Sequence, residues 1–117
     1  MGRLTTHVLD TAQGLPAVGV TIVVKRVHGG ERSEIGSAIT NREGRVDRPL
    51  LEGGDLVTGT YELDFDVGGY FDLQPLDVPQ PPFLDIVTIR FTIADAGDHY
   101  HVPLLVSPWS YSTYRGS

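Results

Sequence analysis

Strict alternation of apolar and polar residues constrains the fold of this chain more than any other feature of its sequence. The segment GTYELDFDVGG (59–69) places apolar side chains at 61, 63, 65 and 67 and polar side chains at 60, 62, 64 and 66. The segment DIVTIRFTI (85–93) repeats the pattern, with apolar residues at 87, 89, 91 and 93. A period of two predicts strands with one buried face. The β-branched segment VGVTIVVKRV (18–27) is typical of a central strand.

Further short segments complete a predicted set of about eight strands. They are THVLD, SEIGSAIT, GRVDRPL, HYHVPLLVS and SYSTYR, and turn signals such as AQGLP, NREG and ADAGD separate them. Many short strands at regular spacing are typical of a β-sandwich or barrel. One helix of a turn or two is predicted around GYFDLQPL, where PQPPF closes it. We therefore predict an all-β fold, with residues 1–117 forming a single domain.

Composition and charge exclude several classes of function. The net charge is −6, and the one lysine and eight arginines are scattered, which argues against a nucleic-acid surface. The absence of cysteine excludes disulfides, thiolate chemistry and zinc–thiolate sites. No apolar segment approaches the roughly 20 residues of a membrane span, and the first ten residues contain no signal-like run. We expect a cytoplasmic protein, or a periplasmic one if a signal peptide has been removed.

Two polar residues stand out in the first half of the chain. His7 lies in the first predicted strand, where Thr5 and Leu9 share its face and Val8 points the other way. Arg45 leaves the tight turn NREG. Taken singly, a strand histidine is more often structural than functional, and an arginine after a turn is more often a solvated charge.

His99 and His101 are two residues apart on one predicted strand, so their side chains share a face. Such a pair can bind zinc or copper, although no third ligand at a useful spacing is evident. The other use is acid–base chemistry, because imidazole titrates near neutral pH. The sequence itself leaves both uses open.

The last segment, SYSTYRGS, carries two tyrosines and an arginine where most domains end in loose polar residues. As a strand it would place Ser112, Tyr114 and Gly116 on one face, with Tyr111, Thr113 and Arg115 on the other. Tyr114 offers a hydroxyl and a flat ring, and Arg115 offers a planar donor fork that suits carbonyls or carboxylates. This composition favours a role in binding.

Three segments, LTTHVLDTAQGLPAVGV, TNREGRVD and HYHVPLLVSPWSYSTYRGS, together resemble the transthyretin-like family along nearly the whole chain. The ending YRGS is similar to the enzyme branch of that family, the 5-hydroxyisourate hydrolases. The resemblance implies a sandwich of two four-stranded sheets with one short helix. It also implies a homotetramer with a central channel, in which the active sites lie between facing subunits.

The resemblance further implies an activity and a set of site residues. The reaction is the addition of water to 5-hydroxyisourate, which opens its six-membered ring and gives 2-oxo-4-hydroxy-4-carboxy-5-ureidoimidazoline, on the route from urate to allantoin. No cofactor or metal is implied. His99 matches a variable flank and is expected to lie outside the catalytic set. The residues expected to bind substrate or catalyse are His7, Arg45, His101, Tyr114, Arg115, Gly116 and Ser117.

The residue types fit hydrolysis of an acyl carbon, which needs a base, a donor for the oxyanion and an acid for the leaving nitrogen. His7 and His101 would transfer protons, without a prediction of which acts first, and Arg45 would hold the substrate and stabilise negative charge. Tyr114 and the terminal group of Ser117 would orient substrate and water. The alternative interpretations are that the protein is a carrier for a small aromatic ligand or a structural interaction module.

Overall fold

The computed structural model describes residues 1–117 and consists mainly of strands. In chain order the elements are β1 (Arg3–Asp10), β2 (Leu15–Pro16), β3 (Thr21–His28), β4 (Glu31–Ile39), β5 (Leu51–Glu52), a 3₁₀ turn (Gly53–Asp55), β6 (Gly59–Asp66), α1 (Val67–Asp72), β7 (Ile86–Ile93), β8 (His99–Val106) and β9 (Tyr111–Thr113). No helix has the length and apolar character that crossing a membrane requires.

Two sheets make up the fold, which confirms the predicted all-β sandwich. One sheet has four antiparallel strands in the order β4-β3-β6-β7. The other has the order β2-β1-β8-β9, with β5 pairing a further part of β1. It therefore has five strands where four were predicted, because two strands of only two residues each, β2 and β5, pair with β1.

The predicted strand GRVDRPL does not form. Asn41 instead organises a turn, in which its side-chain oxygen accepts hydrogen bonds from the backbone N–H groups of Glu43 (2.9 Å) and Arg45 (3.2 Å). Gly44 follows with φ of +75°, a conformation that side-chain-bearing residues rarely adopt. The local hydrogen bonds of this turn replace a sheet ladder, so residues 44–50 form a loop beside β1.

The helix begins earlier than predicted. Asp66 caps α1 by accepting a hydrogen bond from the Gly69 N–H at 3.0 Å, and the helix ends at Asp72. Val67, which we predicted to continue the alternation of β6, is therefore the first residue of α1. The remaining strand predictions for β1, β3, β4, β6, β7 and β8 agree with the structure.

The core lies between the two sheets, as the period-two alternation requires. A cluster of 21 buried apolar residues includes Leu4 and Val8 from β1 and Tyr100, Val102 and Leu104 from β8. The alternate residues of these strands lie on the opposite, outer face of the five-stranded sheet. That outer face carries the candidate site, because it presents the histidines of β1 and β8.

Candidate active site

Parallel pairing of β1 with β8 brings distant polar residues together. The register places Arg3 opposite His99, Thr5 opposite His101, and His7 opposite Pro103. All six residues alternate with core residues, so they share the outer face of the sheet. The sequence predicted that His99 and His101 share a face, and the structure confirms it, with ring centroids 6.3 Å apart.

A cavity of about 420 Å³ opens over these residues. Its volume is within the usual range of about 300–1,000 Å³ for small-molecule sites. Val46 is the one hydrophobic residue among the eleven that line the cavity, and most of the others are polar or charged. The lining residues are Arg3, Thr5, Thr6, Arg45, Val46, Asp47, Arg48, Pro49, His99, His101 and Ser117.

His101 is held on two sides. Its Nδ1 lies 2.8 Å from the hydroxyl oxygen of Thr5, and its carbonyl accepts a hydrogen bond from the Gly116 N–H at 2.8 Å. Burial, together with the nearby charge of Arg45, lowers the pKa of His101 below its ordinary value of 6.5. His101 is therefore mostly neutral at pH 7, which is the form that can accept a proton.

His7 lies beside the cavity and interacts with the Asn41 turn. Its Nε2 is 2.8 Å from the carbonyl oxygen of Glu43, and since a carbonyl can only accept, the neutral ring carries its proton on Nε2. Burial and then the Arg45 charge lower the pKa of His7 below 6.5. His7 is thus also mostly neutral at pH 7, with Nδ1 as its remaining basic nitrogen.

The turn that carries Arg45 docks directly onto β1. The Val8 N–H donates to the Gly44 carbonyl at 2.8 Å, and a Cβ added at Gly44 would lie 2.3 Å from the Val8 carbonyl oxygen. The absence of a side chain at Gly44 permits this approach. Arg45 is exposed and lines the cavity, and it belongs to none of the four ion pairs of the chain.

The ending of the chain returns to β8. After β9 ends at Thr113, Gly116 pairs with His101 in the register that β9 and β8 already follow. A Cβ added at Gly116 would lie 2.5 Å from Cδ2 of His101, so glycine is required for this close approach. Ser117 then lines the cavity.

Tyr114 and Arg115 do not line the histidine cavity in the single chain. Both line a second, more apolar cavity of about 340 Å³, and Tyr114 is 60 % exposed. Arg115 stacks over the ring of Tyr100 with its guanidinium carbon 4.2 Å from the centroid, and it forms an ion pair with Asp98 at 3.0 Å. The predicted strand SYSTYR is shorter than expected, because the regular strand ends at Thr113 and both residues lie beyond it.

The structure brings together four of the predicted site residues, namely Arg45, His101, Gly116 and Ser117, with His7 adjacent. It adds His99, which we had expected outside the catalytic set, and Thr5, which the sequence analysis treated only as a neighbour of His7. Arg3 and Arg48 bring further positive charge to the same cavity. Thr5 and Arg3 could have been found, because they alternate with His7 along β1.

Comparison with known proteins decides the family. The model of the HIUase/Transthyretin family matches residues 4–116. This chain belongs to the HIUase/Transthyretin family. It is 58 % identical to a 5-hydroxyisourate hydrolase of Ralstonia nicotianae over the full length of both chains, and 43 % identical to one of Mus musculus over 97 % of this chain and 94 % of the relative.

Solved structures of similar proteins have the same fold. A Klebsiella pneumoniae 5-hydroxyisourate hydrolase matches with a TM-score of 0.81 and 34 % identity over 100 % of both chains. A transthyretin of sea bream in complex with thyroxine matches at 0.86 and 27 % identity, over 97 % of this chain and 94 % of that one. A structure of (S)-allantoin synthase matches at 0.93 and 47 % identity, over 99 % of this chain but 44 % of that chain.

Proposed function

We propose that this protein catalyses the hydrolysis of 5-hydroxyisourate to 2-oxo-4-hydroxy-4-carboxy-5-ureidoimidazoline, a step in the degradation of urate. The observation that carries the proposal is the neutral His101 in a polar cavity, where Thr5 and Gly116 hold it and Arg45 lies within electrostatic reach. The 5-hydroxyisourate hydrolases among the relatives, at up to 58 % identity, support it.

The chemistry begins with a water molecule in the cavity. A neutral imidazole accepts one proton from this water as its oxygen bonds to the ring carbonyl carbon of the substrate. His101 and His7 are the two bases available, through Nε2 of His101 and Nδ1 of His7. Nε2–H of His7 donates to the Glu43 carbonyl, and Nδ1 of His101 is hydrogen-bonded to the Thr5 hydroxyl, so Nε2 of His101 is basic when Nδ1 carries the proton of the neutral ring. The resulting tetrahedral centre carries a negative oxygen.

The second half of the reaction breaks the ring. The C–N bond of the substrate cleaves, and the imidazolium returns its proton to the leaving nitrogen, so one water is consumed and the histidine is regenerated. Arg45 stabilises the negative oxygen, since its guanidinium is charged at all relevant pH values and has no carboxylate partner in the chain. Ser117 orients the substrate or the water from the rim.

Arg115 has a different role in this proposal from Tyr114. The contacts of Arg115 with Asp98 and Tyr100 anchor the segment that positions Gly116 and Ser117. Tyr114 stays a predicted substrate-binding residue, and its exposed ring is available to a cavity shared with another subunit.

We further propose that the active assembly is a homotetramer of dihedral symmetry. Arg45, Arg48 and Ser117 are exposed in the single chain, so the cavity is open on the side away from the sheet. A facing subunit would close it, and repeated isologous contacts are the usual way to build such an assembly.

A carrier function is less well supported. The cavity contains three arginines and two histidines and only one large apolar side chain, which does not suit an apolar aromatic ligand. No group of three or more His, Asp or Glu side chains is placed to hold a metal ion. That the reaction needs no metal remains a prediction.

The proposed function is tested by generating 5-hydroxyisourate from urate and following its decay with and without the purified protein. We expect the protein to accelerate the decay, and a chelator to leave the rate unchanged. Loss of activity with the chelator and recovery with zinc would refute the metal-free mechanism. A decay rate equal to the spontaneous one would refute the function.

A further inference from the structure

The hydroxyl of Thr5 lies between two imidazoles. Its oxygen is 2.8 Å from Nε2 of His99 and 2.8 Å from Nδ1 of His101. Both distances are within the range of good hydrogen bonds. Thr5 is half-buried on β1, directly opposite His101 in the parallel register, so the sheet itself holds the three side chains together.

The hydroxyl has only one hydrogen, which links the protonation of the two rings. If Thr5 donates to one imidazole, it must accept from the other. When His101 carries its proton on Nδ1, it donates to Thr5, and Thr5 donates to a bare Nε2 of His99. When His99 carries its proton on Nε2, the direction reverses, and Nδ1 of His101 must be bare.

The two arrangements have opposite consequences for catalysis. With the proton on Nδ1, His101 has a lone pair on Nε2 and can act as a base. With Nδ1 bare, the proton of neutral His101 lies on Nε2, and the ring can act only as an acid. The tautomer of His99 therefore selects the role with which His101 begins the reaction.

We propose that His99, acting through Thr5, is a positioning residue that keeps neutral His101 protonated on Nδ1, with the lone pair of Nε2 available to activate water. This inference rests on the proposed function for its catalytic consequence. It changes the expected status of His99, which the sequence resemblance placed outside the catalytic set. The hydrogen-bonded chain also supports the imidazolium formed in the reaction, because Nδ1–H keeps its acceptor.

The surroundings contain no competing partner for these ring nitrogens. The charged and titratable groups that face the pair are Arg3 and His7 on β1, the Asp98 that precedes β8, and three residues of the loop, Arg45, Asp47 and Arg48. Asp98 accepts from Arg115 and from the backbone N–H of His99, and His7 bonds to the Glu43 carbonyl. No carboxylate is hydrogen-bonded to either imidazole, so Thr5 alone connects them.

Two variants interrupt this hydrogen-bonded chain, one at its middle member Thr5 and one at its far end His99, while keeping the side-chain shapes. Thr5→Val deletes the hydroxyl, and His99→Phe deletes the acceptor but keeps an aromatic ring. We expect each to lower the rate of 5-hydroxyisourate hydrolysis about tenfold. This is less than the ~10²-fold loss expected when an acid–base group is removed, because His101 itself is kept. Thr5→Ser, which keeps a hydroxyl, should restore most of the rate lost in Thr5→Val.

The double variant separates action through Thr5 from direct action on the substrate. If His99 acts only through Thr5, then Thr5→Val combined with His99→Phe should be no slower than Thr5→Val alone. Independent roles would instead multiply the two losses, and that result would overturn the proposal. Full activity of His99→Phe would overturn it as well.

A spectroscopic measurement tests the tautomer without substrate. In ¹⁵N-histidine-labelled protein at a pH well above 6.5, long-range ¹H–¹⁵N spectra should show His101 protonated on Nδ1, and His99→Phe should move the proton towards Nε2. Protonation on Nε2 in the wild type would refute the inference. Nδ1 protonation in a protein that does not hydrolyse 5-hydroxyisourate would refute the proposed function alone and support the hydrogen-bonded chain.

Discussion

At the scale of single residues, the position of His101 depends on a hydrogen bond with one neighbour and on the absence of a side chain at another. Thr5 supplies a hydroxyl to Nδ1, and Gly116 supplies a backbone without a side chain. Since a Cβ at position 116 would lie 2.5 Å from Cδ2 of the ring and 3.1 Å from Cγ, any larger residue must displace the imidazole or the segment that carries Gly116.

Gly116→Ala should therefore lower the hydrolysis rate by about tenfold or more while leaving the melting temperature nearly unchanged. Misplacing reacting groups by about an ångström can cost ~10²-fold in rate. Gly30→Ala is a matched control, because Gly30 has no atom within 4 Å of an added Cβ and no positive φ. If Gly116→Ala has the rate of the control variant, the close approach has no catalytic role.

The pH dependence of the rate should depend on Arg45. Burial and the Arg45 charge both lower the pKa of His101 and of His7. The rate should therefore fall on acidification with a midpoint below pH 6.5. Arg45→Gln removes a charge that opposes the imidazolium, so the midpoint of this fall should move up towards 6.5. Arg45→Lys keeps the charge and should leave the midpoint lower.

This prediction concerns the midpoint and not the absolute rate, which both Arg45 variants reduce if Arg45 also stabilises the oxyanion. The measurement is kcat/KM between pH 4.5 and 8 for the three proteins. An identical midpoint in Arg45→Gln and Arg45→Lys would show that Arg45 does not set the pKa of the base.

At the scale of elements, the segment after β9 is part of the site wall and contributes little to the core. Deletion of residues 114–117 removes the Gly116–His101 bridge and the Ser117 side of the cavity. Because residues 114–117 are not buried, the melting temperature should change little while the rate falls by ~10²-fold. A truncated protein that melts normally and remains fully active would show that this segment has no catalytic role.

On the outer face of the four-stranded sheet, a buried glutamate forms ion pairs with two arginines and so connects three strands. Glu62 on β6 accepts from Arg32 on β4 at 2.7 Å and from Arg90 on β7 at 3.0 Å. The hydrogen bond from Arg32 is the main cause that lowers the pKa of Glu62 below 4.5. The ionised Glu62 carboxylate therefore stabilises the fold fully above pH 4.5, and this stabilisation is lost as the pH falls through the lower pKa that Glu62 has in the folded protein.

Glu62→Gln should reduce the free energy of unfolding at pH 7 by up to about 1 kcal/mol, the scale of ion pairs whose partners are half exposed to solvent. The difference between the variant and the wild type should shrink as the pH falls below 4.5. Melting temperatures measured from pH 3 to 7 test both points, and equal stability of the two proteins at pH 7 would contradict this account of the ion pairs.

At the scale of the whole molecule, assembly completes the site in our proposal. Sedimentation at micromolar concentration should give the mass of four chains, and dilution that dissociates the tetramer should reduce the activity per chain. The expected reason is that Arg45, Arg48 and Ser117 face an open cavity in one chain. A monomer with full activity would refute this proposal without affecting the assignment of His101.

The sequence predicted the parts of the fold that depend on local alternation. The strands β6 and β7 follow from period-two patterns and β3 follows from its β-branched residues, whereas the two-residue strands β2 and β5 form only because β1 is there to pair with them. The prediction of a strand at GRVDRPL was wrong because Asn41 and Gly44, and not the apolar residues, determine the backbone conformation there.

The site shows the same division. His7, Arg45, His101 and the YRGS ending were predicted through the resemblance of their segments to the family, because taken singly His7 and Arg45 favour structural or solvated roles. The bridge from His99 through Thr5 to His101 could not, because it depends on a parallel register between residues more than ninety positions apart. Threonine on a strand is also too common to signal such a role.

The most direct test of the central claim compares the decay of freshly generated 5-hydroxyisourate with wild-type protein and with His101→Asn, at equal concentrations of folded protein. We predict strong acceleration by the wild type and a loss of ~10²-fold or more in the variant, the scale of a lost acid–base group. Melting curves and sedimentation of both proteins must match, so that the loss reports chemistry and not folding. A His101→Asn variant as fast as the wild type would contradict the claim that His101 activates the water.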